Sequence, residues 1–168
     1  LDLFQVTVKC GLQNRDFNVS QVILYETFNQ ISEHNIALLK LDGLLELGTN
    51  DTDKIDLPEQ GSDVPADTIV TLTGWGYTGT NLSLNLQTVD VPILDRHDCV
   101  TQYNSYKIIT ENMICTGLHV VGDDICNYDI GGPVIMNNLL VGIVSWGNEC
   151  ASPLYPGVFT KVGNFVDR

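Results

Sequence analysis

Cations are scarce in this chain: 8 Lys and Arg stand against 21 Asp and Glu, a formal net charge of −13 over 168 residues. That imbalance argues against phosphate backbones and anionic membranes as partners, so neither a nucleic acid nor a membrane is expected. The acidic side chains are scattered, with a modest concentration between Asp51 and Asp67, and read as a solvated surface. No apolar run approaches the roughly 20 residues a spanning helix needs. The first residues, Leu1-Asp2-Leu3-Phe4, have neither the basic start nor the apolar core of a leader peptide. Five cysteines, at 10, 99, 115, 126 and 150, include no C-x-x-C pair, and no His stands at zinc-finger spacing. No metal site is expected. Internal repeats, low-complexity tracts and sustained helical periodicity are missing as well.

What is present is ordinary globular composition, 43% hydrophobic and 17% charged, long enough for one compact domain or two small ones. Short β-rich runs recur between turn residues: Phe4 to Cys10, Phe17 to Tyr25, Ile36 to Leu41, Thr68 to Thr73, Leu86 to Leu94, Pro133 to Met136, Leu139 to Trp146 and Gly157 to Val162. Asp95 to Tyr103 suits one or two helical turns. A polar stretch from Asn50 to Asp67, with Pro58, Gly61 and Pro65, separates two β units. Many short strands at this spacing predict an all-β sandwich or barrel. Four cysteines can pair in three ways, and spacing does not choose among them. Sequons at Asn18, Asn50 and Asn81 are candidate glycosylation sites, and with the cysteines they favour an oxidising, extracellular compartment.

Four segments, in order, resemble the chymotrypsin/trypsin-like serine protease family. His34-Asn35-Ile36-Ala37-Leu38-Leu39-Lys40-Leu41 resembles its D-I-A-L-L-K-L strand, and Thr73-Gly74-Trp75-Gly76 its T-G-W-G. Asp123 to Val134 resembles its nucleophile loop; Val144-Ser145-Trp146-Gly147 and Pro156-Gly157-Val158-Phe159 resemble its pocket walls. The resemblance implies a chymotrypsin-like double antiparallel β-barrel with an incomplete first barrel. Residues 1–52 would be the remainder of that barrel, 53–67 the linker, 68–162 the second barrel and 163–168 the start of a truncated C-terminal helix. On this expectation the chain begins after the activation terminus and the histidine segment. Family register implies disulfides Cys99–Cys115 and Cys126–Cys150, leaving Cys10 as a free thiol or bonded elsewhere.

The same register places Ile130 where the family carries its serine nucleophile, and a branched hydrocarbon cannot be deprotonated or add to a carbonyl. Asn35 replaces the carboxylate that would orient a base, and is expected simply to hydrogen-bond inside the barrel. Tyr128 takes the glycine position of the oxyanion hole, where a Cβ and ring would crowd a substrate. His34, His97 and His119 match no catalytic histidine and read as surface bystanders. Asp124 would form the base of the pocket, with Ser145, Trp146, Gly147 and Gly157 as walls; Ile125 and Glu149 would narrow it. Asp129 corresponds to the family's buried aspartate. These substitutions lead to the expectation that the chain is not an enzyme and needs no cofactor. It is read as a secreted homologue that binds a protein partner (a protease, a protease substrate or another cascade component), as cofactor or decoy. The alternative is a trypsin-like serine endopeptidase domain, or a remnant without selected function.

Overall fold

A computed structural model describes residues 6–11, 15–25, 33–76, 83–104, 106–117, 129–147 and 155–167. The described residues build two antiparallel sheets. The first holds β1 (Thr7–Cys10), β2 (Arg15–Leu24) and β3 (Ala37–Leu41) in the order β1-β2-β3. Alternation along the first half of β2 follows the pleat. A register shift between Val19 and Gln21 then lets one strand pair with both neighbours. Among the described residues of this sheet only Val19 is buried, while Ile23, Leu24, Leu38 and Leu39 are exposed.

The second sheet carries the packed core. It contains β4 (Ile69–Gly74), β5 (Gln87–Pro92), β6 (Met113–Thr116), β7 (Pro133–Met136), β8 (Leu139–Trp146) and β9 (Gly157–Lys161), in the order β5-β4-β7-β8-β9-β6. An antiparallel bridge between Ile93 and Thr116 joins its two ends, with Leu94 N–H donating to Cys115 O at 2.9 Å and Gly117 N–H to Pro92 O at 2.9 Å. The six-stranded sheet thereby curls until its two ends meet at this bridge. Val70, Leu72, Val91, Ile93, Val134, Val141, Val144 and Phe159 fill the interior. β-Branched residues dominate because their stiff χ1 packs well on a pleated surface.

One α-helix, α1 (Arg96–Tyr103), lies against the barrel among the described residues. Asp95 caps it, its side chain accepting from His97 N–H at 2.8 Å, a bond that satisfies one of the orphan donors of the first turn. Its buried side turns Cys99 and Tyr103 into a second cluster with Ile109, Met113, Cys115 and Val158. Cys99 and Cys115 form a disulfide across 16 residues. The segment between the sheets is not a passive tether. Asp56 bridges Leu139 in parallel and accepts Leu140 N–H at 2.9 Å, so the connection is pinned to β8.

Because the bridge between α1 and β6 shortens the accessible unfolded ensemble, the double substitution Cys99→Ser/Cys115→Ser should lower unfolding free energy by roughly 2–4 kcal/mol. Urea titration followed by far-UV circular dichroism reads this directly; an unchanged midpoint would mean that the cluster holds α1 unaided.

Candidate functional site

Asn35 sits on the turn that enters β3, following His34, whose backbone is left-handed with φ +53°. Its amide Nδ2 donates to Ser145 Oγ on β8 at 2.9 Å, and its carbonyl accepts Thr160 Oγ1 on β9 at 2.8 Å. Through these two bonds Asn35 reaches across and ties the first sheet to the second. Ser145 and Thr160 are buried, so both hydroxyls require partners, and Asn35 supplies them. His34 is not a surface bystander. Its side chain is 22% exposed, its ring packs tilted on Tyr25 at 4.8 Å and edge-on to Phe165 at 5.9 Å, and its Nε2 lies 3.5 Å from Glu33. Glu33 in turn accepts from Thr110 Oγ1 at 3.1 Å and Asn112 Nδ2 at 2.7 Å. His97, by contrast, is exposed on α1.

Ile130 stands on a tight turn and is 58% exposed. Gly132 N–H donates to Asp129 O at 2.7 Å, and Gly131, at φ +90°, donates to Val144 O at 2.9 Å. A positive φ here needs glycine, because a Cβ would meet the neighbouring carbonyl oxygen. The turn thus presents Ile130 outward, one residue before the rung that Gly131 forms with β8. Asp129 is buried, its carboxylate lying against the backbones of Gly74 and Gly76. A Cβ at either glycine would overlap that carboxylate, which gives the T-G-W-G segment its two glycines.

Along β8, Trp146 follows Ser145. Tyr103 meets its indole edge-on at 5.0 Å, Tyr155 packs on Tyr103 at 5.6 Å, and Lys107 Nζ lies 4.0 Å above the indole ring. Burial pushes the Lys107 ammonium below the ordinary lysine range. The indole Nε1 is buried without a hydrogen-bond partner among the described residues. Gly147 has open space where a Cβ would stand, and Gly157 is closed in by the Phe159 ring. Lys107 and the Tyr103–Tyr155 pair belong to the wall, although no sequence motif marks them. Tyr128, Asp124, Ile125, Glu149, His119, Cys126, Cys150 and Asn81 lie outside the described residues. Asn18 and Asn50 are exposed, and Cys10 is a half-buried free thiol. Asp95, His97 and Asp98 offer ligand atoms within 4.8 Å of one another. All three are exposed at a helix N-terminus, whose dipole disfavours a cation.

A closed six-stranded barrel clasped to a second sheet, with a buried aspartate behind an outward turn and a Ser-Trp-Gly wall, defines a chymotrypsin-fold protein. The trypsin family model matches residues 5–168, and the chain belongs to that family. It is 44% identical over 153 residues to Trypsin Blo t 3 of Blomia tropicalis, covering 88% of this chain and 58% of that protein. It is 40% identical over 161 residues to Trypsin eta of Drosophila erecta, covering 94% and 61%. To the Anionic trypsin of Canis lupus familiaris it is 42% identical over 175 residues, covering 97% and 69%. The chain thus spans about three-fifths of the length of the first two relatives. These likenesses overturn the expectation that the chain is not an enzyme. That expectation summed single positions, of which Tyr128 lies outside the described residues and Asn35 is a well-formed clasp. Proteins sharing about two residues in five with this chain over most of its length carry the name trypsin. No described feature establishes inactivity.

Gly74→Ala should destabilise the fold by roughly 1–3 kcal/mol through overpacking against Asp129, and Asp129→Ala should relieve most of that cost. A double-mutant cycle in urea tests the pair. Additive effects would show that the two positions do not touch in solution.

Proposed function

We propose that this chain is part of the peptidase domain of a secreted, trypsin-like serine endopeptidase that acts on polypeptides, as a component of a proteolytic cascade. The observation that supports it most is identity of 40–44% to proteins named trypsin, sustained over 88–97% of the chain. The clasp from Asn35 to Ser145 and Thr160 agrees with it, because it holds a turn of the first sheet at the Ser-Trp-Gly wall. In this proposal Asp124 takes a basic substrate side chain by charge, flanked by Ser145, Trp146, Gly147 and Gly157. Cys126 and Cys150 form a second disulfide, and Asn18, Asn50 and Asn81 carry glycans. Residues 1–52 belong to the first barrel, 53–67 to the linker and 68–162 to the second barrel.

Ile130 sets a demand on this reading: it has no hydroxyl, so acyl transfer requires one from another residue. The test is incubation of the chain, produced through a secretory host, with casein and with a biotinylated fluorophosphonate. Casein fragments ending in Lys or Arg, together with a serine or threonine adduct mapped by mass spectrometry, are expected. Intact casein and an unlabelled chain would overturn the proposal.

A further inference from the structure

A cavity of about 540 Å³ is shared by the start of α1, the segment between the two sheets, β6 and the end of β9. Its size falls within the roughly 300–1,000 Å³ of small-molecule sites. The floor is apolar: Ile93, Ile109, Met113 and Ile114 are buried, as is the Cys99–Cys115 disulfide. Hydrogen bonds tie separate stretches of the lining together. Gly61 N–H donates to Gly163 O at 2.6 Å, Arg96 Nη1 to Thr110 O at 2.7 Å, and Asn164 Nδ2 to Glu111 O at 3.0 Å. None of Asn35, Asp129, Ile130, Ser145 and Trp146 lines this cavity.

The charged side chains of the lining differ in how far they are committed. Lys161, with 13% of its side chain exposed, pairs with Asp63 Oδ1 at 3.1 Å, and the same oxygen accepts Val64 N–H at 3.0 Å. Arg96 Nη2 reaches Ile109 O at 3.4 Å besides the bond to Thr110, and Asp95 caps α1 through His97 N–H. Glu111 is exposed, and its carboxylate meets no partner among the described residues. Asp63, Asp95 and Glu111 stand against Arg96 and Lys161, which leaves one negative charge in excess on the lining.

We propose that this cavity binds small organic cations that carry an apolar body. The body lies on the floor around Ile93 and Met113, and the ammonium or guanidinium group meets Glu111. The site is separate from the one that the peptidase reading uses and goes beyond that reading. Taking an apolar body out of water onto a preformed apolar floor is favourable, and the open acceptor positions of Glu111 call for a donor. An anionic ligand is opposed, because Lys161 and Arg96 already have acceptors that it would have to displace. The net charge of −13 acts in the same sense, drawing a cation in at long range.

The two methionines of the chain serve as reporters, since Met113 lines the cavity and Met136 on β7 does not. Methyl NMR of the chain with isotope-labelled methionine is recorded at neutral pH during titration with phenylpropylamine, phenylpropanol and phenylpropionate. Phenylpropylamine should move the Met113 signal saturably, with a Kd on the order of 1 mM for about ten heavy atoms, and leave Met136 in place. Phenylpropanol, its uncharged counterpart, should bind about fivefold more weakly, the ratio of a favourable exposed ion pair, and phenylpropionate more weakly still. Glu111→Gln should bring amine and alcohol to the same affinity. Ala66→Phe, at an exposed position of the lining, should fill the mouth and remove binding of all three. Far-UV circular dichroism checks that both variants are folded. An unmoved Met113 signal, a movement of equal size at Met136, or equal affinity for amine and alcohol in the parent chain would overturn the assignment. So would a preference that survives Glu111→Gln, or binding that survives Ala66→Phe in a folded variant. Binding of the amine at Asp124, which the proposed function allows, is told apart because it would survive both substitutions.

Discussion

The bridge between Ile93 and Thr116 is the constraint from which the remaining architecture follows. A six-stranded sheet with free ends would leave β5 and β6 as exposed edges; joined there, it becomes a barrel whose interior is reached from all six strands. Closure fixes the position of β6, and β6 carries Cys115, to which α1 is bonded. Closure also fixes β9 beside β8, with Val144 paired to Phe159 and Trp146 to Val158 across a register shift. Such a bulge changes which way the following side chains point. Ser145 stands inside that irregularity, and its hydroxyl accepts from the Asn35 amide that reaches it from the first sheet's side.

Among the described residues, hydrogen bonds and one aromatic cluster join the two sheets and the segments beside them. Asn35 bonds Ser145 and Thr160, Glu33 bonds Thr110 and Asn112, and Tyr25 with His34 packs on Phe165. A neutral amide at position 35 has a chemical consequence. It donates to Ser145 Oγ, whereas a carboxylate could only accept, so the direction of the hydrogen bond is set by the amide and the serine proton is left for another acceptor. Each separate bond contributes on the order of 1 kcal/mol, so it is the number of them that makes the junction hold.

Most strands are legible in the sequence because alternation and bounding glycines mark them: β7 and β8 fall where Pro133 to Met136 and Leu139 to Trp146 predict. β6 is not. All four of its residues are buried, so Met113-Ile114-Cys115-Thr116 shows no alternation, and four residues are too few for a continuous apolar run to stand out. The site is legible where chemistry is local to a motif, as in Ser145-Trp146-Gly147 and the glycines flanking Trp75. It is illegible where side chains meet from distant segments. Nothing about Lys107 or Tyr155 in sequence announces that one sits on Trp146 and the other supports it through Tyr103. The half-buried state of His34 is hidden for the same reason, since its partners Tyr25 and Phe165 stand far apart along the chain. The expectation of a chain without catalysis errs differently: it weighs individual substitutions and gives too little to identity spread along the whole chain.

Among the described cations, most are used in ways that their neighbours explain. Lys9 pairs with Asp16, Lys54 with Asp56 and Lys161 with Asp63. Arg96 donates to the carbonyls of Thr110 at 2.7 Å and Ile109 at 3.4 Å, bracing the segment that leads into β6. Lys107 holds its ammonium 4.0 Å above the indole ring of Trp146. Burial lowers its pKa, because partial desolvation is a cost to the charged form. The indole quadrupole offsets part of that cost, and only while the ammonium stays over the ring.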